Sequence, residues 1–257
     1  MWEALEYLGL AFIPLFMALD LVARRRTFDT PRHWRLRALA VSVLTIAFSI
    51  PVTLFWAWVF DGISLFDASG LGIAAGAVLG ILVYELVHYW YHRAAHRSDF
   101  LWRWAHQMHH SAESIDAFGA NYGHPLDVFF WTTWPSLVFF PLLGLQPEAG
   151  VLAATFVAFN AMFQHANIRT PRWLGYIIQR PESHGVHHQR GKHRSNYADL
   201  PLWDMVFGTF ENPASFDEEA GFYPGASSRI GAMLAGRDIS GEPARRAADA
   251  AEERRAA

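Results

Sequence analysis

Apolar runs long enough to cross a bilayer alternate along this chain with polar segments in which histidine recurs every three or four positions. The longest uncharged run, Ala38 to Phe60, has about 23 residues. At ~1.5 Å per residue it crosses a ~30 Å hydrocarbon core with some tilt, which predicts a transmembrane helix. Leu5 to Ala23 predicts a second span, with Pro14 inside and with Glu6 and Asp20 near its ends, where they reach the interfaces. Its arginines follow the apolar run instead of preceding it, so it reads as an anchor rather than a removed leader. A third run, Leu71 to Tyr84, continues with helical spacing through Glu85, His88 and His92, placing the first histidine ~26 Å along the helix. Val128 to Leu145 is a fourth run; after Gln146, Pro147 and Glu148 the chain returns through Ala149 to Phe163 and arrives at His165. The return leg is short, so the pair forms a hairpin that either crosses or re-enters. The pattern as a whole predicts an all-α integral membrane protein with about four to five transmembrane or re-entrant helices.

Composition and charge give this picture a direction. Of the 257 residues, 52% are hydrophobic and 18% charged, which excludes a disordered chain. The net charge of −3 carries no nucleic-acid footprint, and the absence of cysteine excludes disulfides and thiolate ligands. Arg24, Arg25, Arg26, Arg32, Arg35 and Arg37 lie between the first two runs, whereas Asp61 and Asp67 and no basic residue lie between the second and third. Cytoplasmic loops near span ends are enriched in Lys and Arg, so the first loop is cytoplasmic. Alternation then places His92 to His124, and everything after His165, on that same side. The expected organisation is N-terminal transmembrane helices over 1–70, a histidine-rich domain with a cytosolic helical cap over 71–212, and a polar C-terminal tail over 213–257. Within that tail, Gly236 to Ala257 offers no apolar face to bury.

Twelve of the thirteen histidines fall between His88 and His193, many in regular sets: His88, His92, His96; His106, His109, His110; His184, His187, His188. On a helix, positions i, i+3 and i+4 share one arc, so each set would aim its imidazoles from one face. Glu85 falls inside the arc of the first set, where a carboxylate can orient a ligating histidine. The pattern HxxHH occurs twice, and at this histidine frequency two occurrences have a chance probability on the order of 5 × 10⁻⁴. His33, alone in an arginine-rich loop, reads as solvated. Imidazole suits zinc, copper, iron and nickel; one tetrahedral zinc would leave at least half of these histidines unused, so two metals match better. The HExxH, GxSxG, P-loop and GxGxxG patterns do not occur, so reducing electrons would come from a separate protein.

These residues resemble the fatty acid hydroxylase and sterol desaturase superfamily of membrane-bound di-iron oxygenases. The family pattern HxxxH, HxxHH and a late HxxHH is similar to His92 and His96, then His106, His109 and His110, then His184, His187 and His188. The stretch Asn196 to Thr209 resembles the family's closing motif, with Ala198 where glycine is usual, and His165 resembles a family ligand position. His88 stands as an extra ligand or as a group behind the ligands. His124, in His124-Pro125-Leu126-Asp127, is similar to an HPLE-like motif on the sterol-modifying side; it stands between ligand and non-ligand, with His193, Asn196 and Asp204 as supporting candidates.

The resemblance implies two iron ions, with zinc as a possible substitute, that activate dioxygen to attack an unactivated C–H bond of a lipid. The implied partners are that lipid, of sterol or fatty acyl type, dioxygen, an external electron donor protein and the membrane. The apolar stretch around Met162 and Phe163 is a candidate substrate lining, although such residues are more often core or lipid-facing. Two alternatives stand beside the oxygenase: a metal-binding or metal-transporting membrane protein, which would place ligands along a crossing path, and a zinc-dependent membrane hydrolase, which would need a general base.

Overall fold

A computed structural model describes residues 2–241, with side chains from Leu8 on; the remainder of the expected tail, 242–257, lies outside the described residues. All regular structure among the described residues is helical, with one isolated antiparallel bridge between Gln189 and Ala220. Three long helices come first: α1 (Trp2–Val22), α2 (Trp34–Val59) and α3 (Gly72–Ala95). A broken helical segment follows, made of α4 (Asp99–Leu101), a π-helical turn (Trp102–His106) and α5 (Gln107–His110). Then come α6 (Pro125–Leu137) with a π turn at its end (Val138–Leu142), and α7 (Pro147–His165). The short helices α8 (Pro181–His187), α9 (Pro201–Phe207) and α10 (Ile230–Leu234) complete the fold. Helices α6 to α9 each start on a proline. Proline presets the helical φ there and forfeits only an N–H that has no intrahelical partner.

Small residues set the spacing of the bundle. α3 lies on α7 with Ala77, Ala149 and Ala153 buried between them, and a Cβ placed on Gly76 would stand 3.1 Å from Cβ of Ala149. Small-residue stripes of this kind let two backbones approach closely. α1 packs on the other flank of α7 through Phe12 and Phe159, ring centroids 5.3 Å apart, and Phe16. α2 packs on α6, where the Trp56 indole donates to Thr133 Oγ1 at 2.8 Å.

α2 and the segment Ser69–Ala95 containing α3 are long and apolar enough to cross a membrane; the apolar part of α1, Leu8–Val22, is shorter. α2 turns Leu44, Leu54, Phe55 and Trp58 outward, Trp58 being 76% exposed. An exposed apolar stripe of that size marks a surface covered by lipid or a partner. Asp20, expected to reach an interface, is instead fully buried: its carboxylate accepts the backbone N–H groups of Ala117 (2.5 Å) and Asn167 (2.9 Å). It ties α1 to the loops that follow His110 and His165.

Residues 213–241 of the expected polar tail pack against the rest of the fold. Phe216, Phe222, Met233 and Ile239 are buried, Tyr122 donates to the Ser227 carbonyl at 2.5 Å, and Gln107 clasps Arg237 and Ile239 through their backbones. Their apolar positions fall at irregular intervals in a polar background, so no helical or strand period betrays them.

Candidate metal centre

Nine histidines converge in two adjoining groups. Group A comprises His92, His96, His106, His110 and His187; group B comprises His109, His165, His184 and His188; within each, one ring nitrogen per residue lies within 4.8 Å of all the others. The groups share a wall in which the His110 and His188 rings stack 4.1 Å apart.

Each HxxHH motif serves both groups, which corrects the expectation that a set aims from one face. His106 and His110, one helical turn apart, enter group A while His109 between them enters group B. In α8 the roles exchange: His184 and His188 enter group B, and His187 enters group A. Residues i and i+4 lie about 40° apart around the axis, whereas i+3 falls on the other side of the starting residue by a comparable angle. At a site only one imidazole wide, that divergence separates the two groups.

The donor chemistry fits bound cations. His92 Nδ1 lies 2.7 Å from the Tyr197 carbonyl, His187 Nδ1 2.6 Å from that of Ser195 and His165 Nδ1 2.8 Å from that of Ala161. A carbonyl only accepts, so each Nδ1 carries the proton and each Nε2 presents a lone pair. His106 is held likewise by Asp127 Oδ2 at 2.8 Å. Yet the Nε2 atoms of His92 and His106 face each other at 2.9 Å, and those of His165 and His184 also at 2.9 Å. Burial foremost, and then the neighbouring histidines, hold His96, His106, His109, His110, His184, His187 and His188 well below the ordinary imidazole pKa of 6.5. In the His92–His106 pair both protons already sit on Nδ1, so neutral imidazoles leave none between the facing lone pairs and a bound metal cation would relieve the contact. In the second pair the unpartnered Nδ1 of His184 lets its proton sit on Nε2 and bond His165.

The remaining candidates sit around the groups. His88 stands outside both, its Nδ1 3.3 Å from the Tyr84 hydroxyl and its Nε2 3.9 Å from Asp199. His124 is also outside both: it caps α6, its Nδ1 accepting the Leu126 N–H at 3.1 Å. That local role, with Pro125 as the first helical residue, accounts for the His-Pro pair. Glu85 meets no histidine; its Oε2 accepts the backbone N–H groups of Asp199 (2.8 Å) and Leu200 (3.1 Å). Asp204 accepts from the N–H groups of Tyr197 and Ala198, both at 2.8 Å, and so fixes the carbonyl that orients His92. Asn196 bonds the backbones of Ser183 and Glu211, and His193 Nδ1 lies 3.1 Å from that of His110. Ser195 and Asn196 both adopt left-handed backbones, at φ 67° and 52°, which turns the Ser195 carbonyl onto His187. Ala198 is not among the residues with positive φ, so a Cβ costs nothing where the family usually has glycine.

Sequence reasoning missed three contributors. Asp127, which receives the Tyr91 hydroxyl at 2.6 Å as well as His106, was visible only as the last letter of the HPLD tetrapeptide. Arg180 is fully buried and holds the start of α8 through Asn212, Thr170 and Glu182. The carbonyls of Tyr197, Ser195 and Ala161 have no side-chain signature at all.

A cavity of about 110 Å³ opens against both groups, lined by His92 and His109 and by the apolar Tyr84, Trp131, Val157 and Ala161. Met162 and Phe163 are not part of it; they are buried in the core that packs α7 on α1.

A helical scaffold with two buried polyhistidine groups defines the class, and comparison with known proteins supplies the family. The family model described as "Fatty acid hydroxylase" matches residues 77–209, just over half of the chain and all nine converging histidines, so the chain belongs to this family. It is similar to Sphinganine C4-monooxygenase 1 of Arabidopsis thaliana, 27% identical over 60% of this chain and 61% of that protein. It also resembles Alkylglycerol monooxygenase of Homo sapiens, 34% identical over 52% of this chain and 30% of that protein. Ornithine lipid hydroxylase OlsE of Rhizobium tropici is 31% identical over 55% and 43%. The chain thus spans less than two thirds of each of these relatives. No solved structure matches it.

Proposed function

We propose that this chain is an integral membrane di-iron oxygenase that hydroxylates or desaturates a C–H bond of a lipid of fatty acyl or sterol type. The observation that carries the reading is the pair of adjoining histidine groups, five and four neutral nitrogen donors, set beside a largely apolar cavity. The names of the three relatives given above, two monooxygenases and a lipid hydroxylase, support it. So does the placement of the arginines at 24–37, which favours a cytoplasmic face for the centre. Two crossing helices meet the length test, and α1, α6 and α7 would bring the total toward four or five.

Group A would hold one iron and group B the other, and bound iron would supply the reductive activation of dioxygen needed to break an unactivated C–H bond. Asp127 and the three carbonyls fix the tautomer and direction of the ligand rings, which is how outer partners tune a metal. Tyr84, Trp131, Val157 and Ala161 present carbon to the substrate and keep bulk water from the centre. Hydroxylation consumes RH, O₂, two electrons and two protons and yields ROH and H₂O; desaturation with the same inputs yields an alkene and two H₂O. The electrons come from an external donor protein.

Metal content per chain of detergent-purified protein, expressed with iron, tests the reading, with a His109→Ala, His187→Ala variant that removes one donor from each group. About two irons in the wild type, a clear loss in the variant, and a cellular lipid gaining oxygen or losing two hydrogens are the expected results. One zinc with no lipid change would overturn the oxygenase and favour the hydrolase or metal-binding alternative. Neither alternative has support of its own here: ligands gather at one end of α3 and α7 rather than along a crossing path.

A further inference from the structure

Trp131 stands between two cavities. The inner one is the space against the histidine groups; the outer one, of about 160 Å³, lies between α2 and α6 and is lined by Thr45, Ile46, Ser49, Val128 and Thr132, and Trp131 lines both. Its ring centroid is 5.3 Å from His109, 5.8 Å from His106 and 6.1 Å from His88.

Much of the polar lining of the outer cavity, which also includes Asn121, is engaged within the protein. The Thr45 hydroxyl is spent on the Asn121 carbonyl and the Ser49 hydroxyl on the Ile46 carbonyl, while Asp127 is engaged by Tyr91 and His106. Polar groups satisfied within the protein turn carbon toward the space. The cavity also adjoins the outward face of α2, where Leu44, Phe48 and Phe55 are exposed. Trp131 itself is held only by packing. Trp34, Trp56 and Trp203 each donate their indole N–H to Asp116, Thr133 or Leu82, whereas the buried N–H groups of Trp131 and of Trp134 have no partner among the described residues, and of these two only Trp131 lines the cavities. A ring without a hydrogen bond can change rotamer at the cost of packing alone.

We propose that the groove between α2 and α6 is a lateral portal through which a lipid acyl chain passes from the bilayer to the histidine centre, with Trp131 as its gate. This deepens the oxygenase reading, since it rests on the same centre and names the route of its substrate. The chain slides in from the lipid without leaving an apolar surrounding, and the closed ring shields the centre from other molecules.

The test is photolabelling of the full-length protein in vesicles of phosphatidylcholine carrying a diazirine in one acyl chain, with adducts mapped by mass spectrometry. Wild type should be labelled at Trp131 and at the exposed Phe55 and Trp58 of α2. Ser49→Leu or Ile46→Phe, either of which fills the outer cavity, should cut Trp131 labelling on the order of tenfold. Phe55 and Trp58 should stay unchanged in both, which also reports correct insertion. Trp131→Ala should raise labelling of Tyr84 and His88 beyond the gate by a similar factor. Unchanged Trp131 labelling in both filled variants, or no labelling of Trp131 in the wild type, overturns the portal; an unchanged inner signal in Trp131→Ala overturns the gate. If labelling follows the portal pattern but the purified chain holds no iron and oxidises no lipid, the portal stands and the oxygenase reading falls.

Discussion

The two histidine groups differ less in their donors than in what stands behind them. In group A, His92, His106 and His187 each send Nδ1 to a fixed acceptor, two carbonyls and one carboxylate. In group B His165 has such an acceptor and the Tyr122 backbone stands beside His109, while Nδ1 of His184 and His188 meets none among the described residues. Fixed acceptors settle tautomer and ring direction before a metal arrives, and a carboxylate also raises donor strength. Group A is therefore the preorganised site and group B the adaptable one, and each variant below acts on that contrast.

The largest effect should come from His184→Ala, which removes a donor from group B alone. Iron should fall from about two to about one per chain and lipid oxidation to background, as expected if each group holds one ion of the proposed di-iron centre. Metal analysis alongside product detection checks this; loss of both ions would mean that the groups fill cooperatively. Next is Asp127→Asn, which retains the shape but removes the negative charge behind His106. A 10–100-fold loss in affinity for one of the two irons is expected, at about the scale of other outer partners, with the second ion unaffected. Competition titration with a chelator measures it.

Gly185→Ala should act on both groups alike. A Cβ there would lie 2.4 Å from Phe216 Cδ1, so α8 and the 213–241 segment must part. The cost should be about 1–3 kcal/mol, read as a lower Tm of the detergent-solubilised protein. An unchanged Tm would show that Phe216 yields freely. Tyr91→Phe is the mildest, removing one donor from Asp127 and leaving His106 in place. A change of about 0.5–1.5 kcal/mol in the affinity of group A is expected from the same titration, and none in group B.

Where a side chain's chemistry repeats at short intervals, the spacing announced which residues would converge. All nine converging histidines lie in spacings or positions visible in the chain, and the helical class follows from runs such as Ala38 to Phe60. His88 and His124 carry the same residue type with the same outward signal, yet one faces Tyr84 and Asp199 and the other caps α6. Glu85 stands in the helical arc of the first set but reaches across to the backbone at 199–200.

The sequence by itself determined that helices, most of them apolar, carry many neutral nitrogen donors, because helical periodicity and residue chemistry are local properties. Only the tertiary structure decided which donors share a group. That depends on the roughly 100° separating i+3 from i+4 around the helix axis at His106–His110 and in α8, and on how α3 and α7 are pressed against them by Gly76 and Ala149. It also decided which carbonyls back the ligands and that residues 213–241 belong to the core. Backbone carbonyls are the same in every residue, and contacts between positions 83 or 132 residues apart, such as His110 with His193 and Gln107 with Ile239, exist only once the chain has closed on itself.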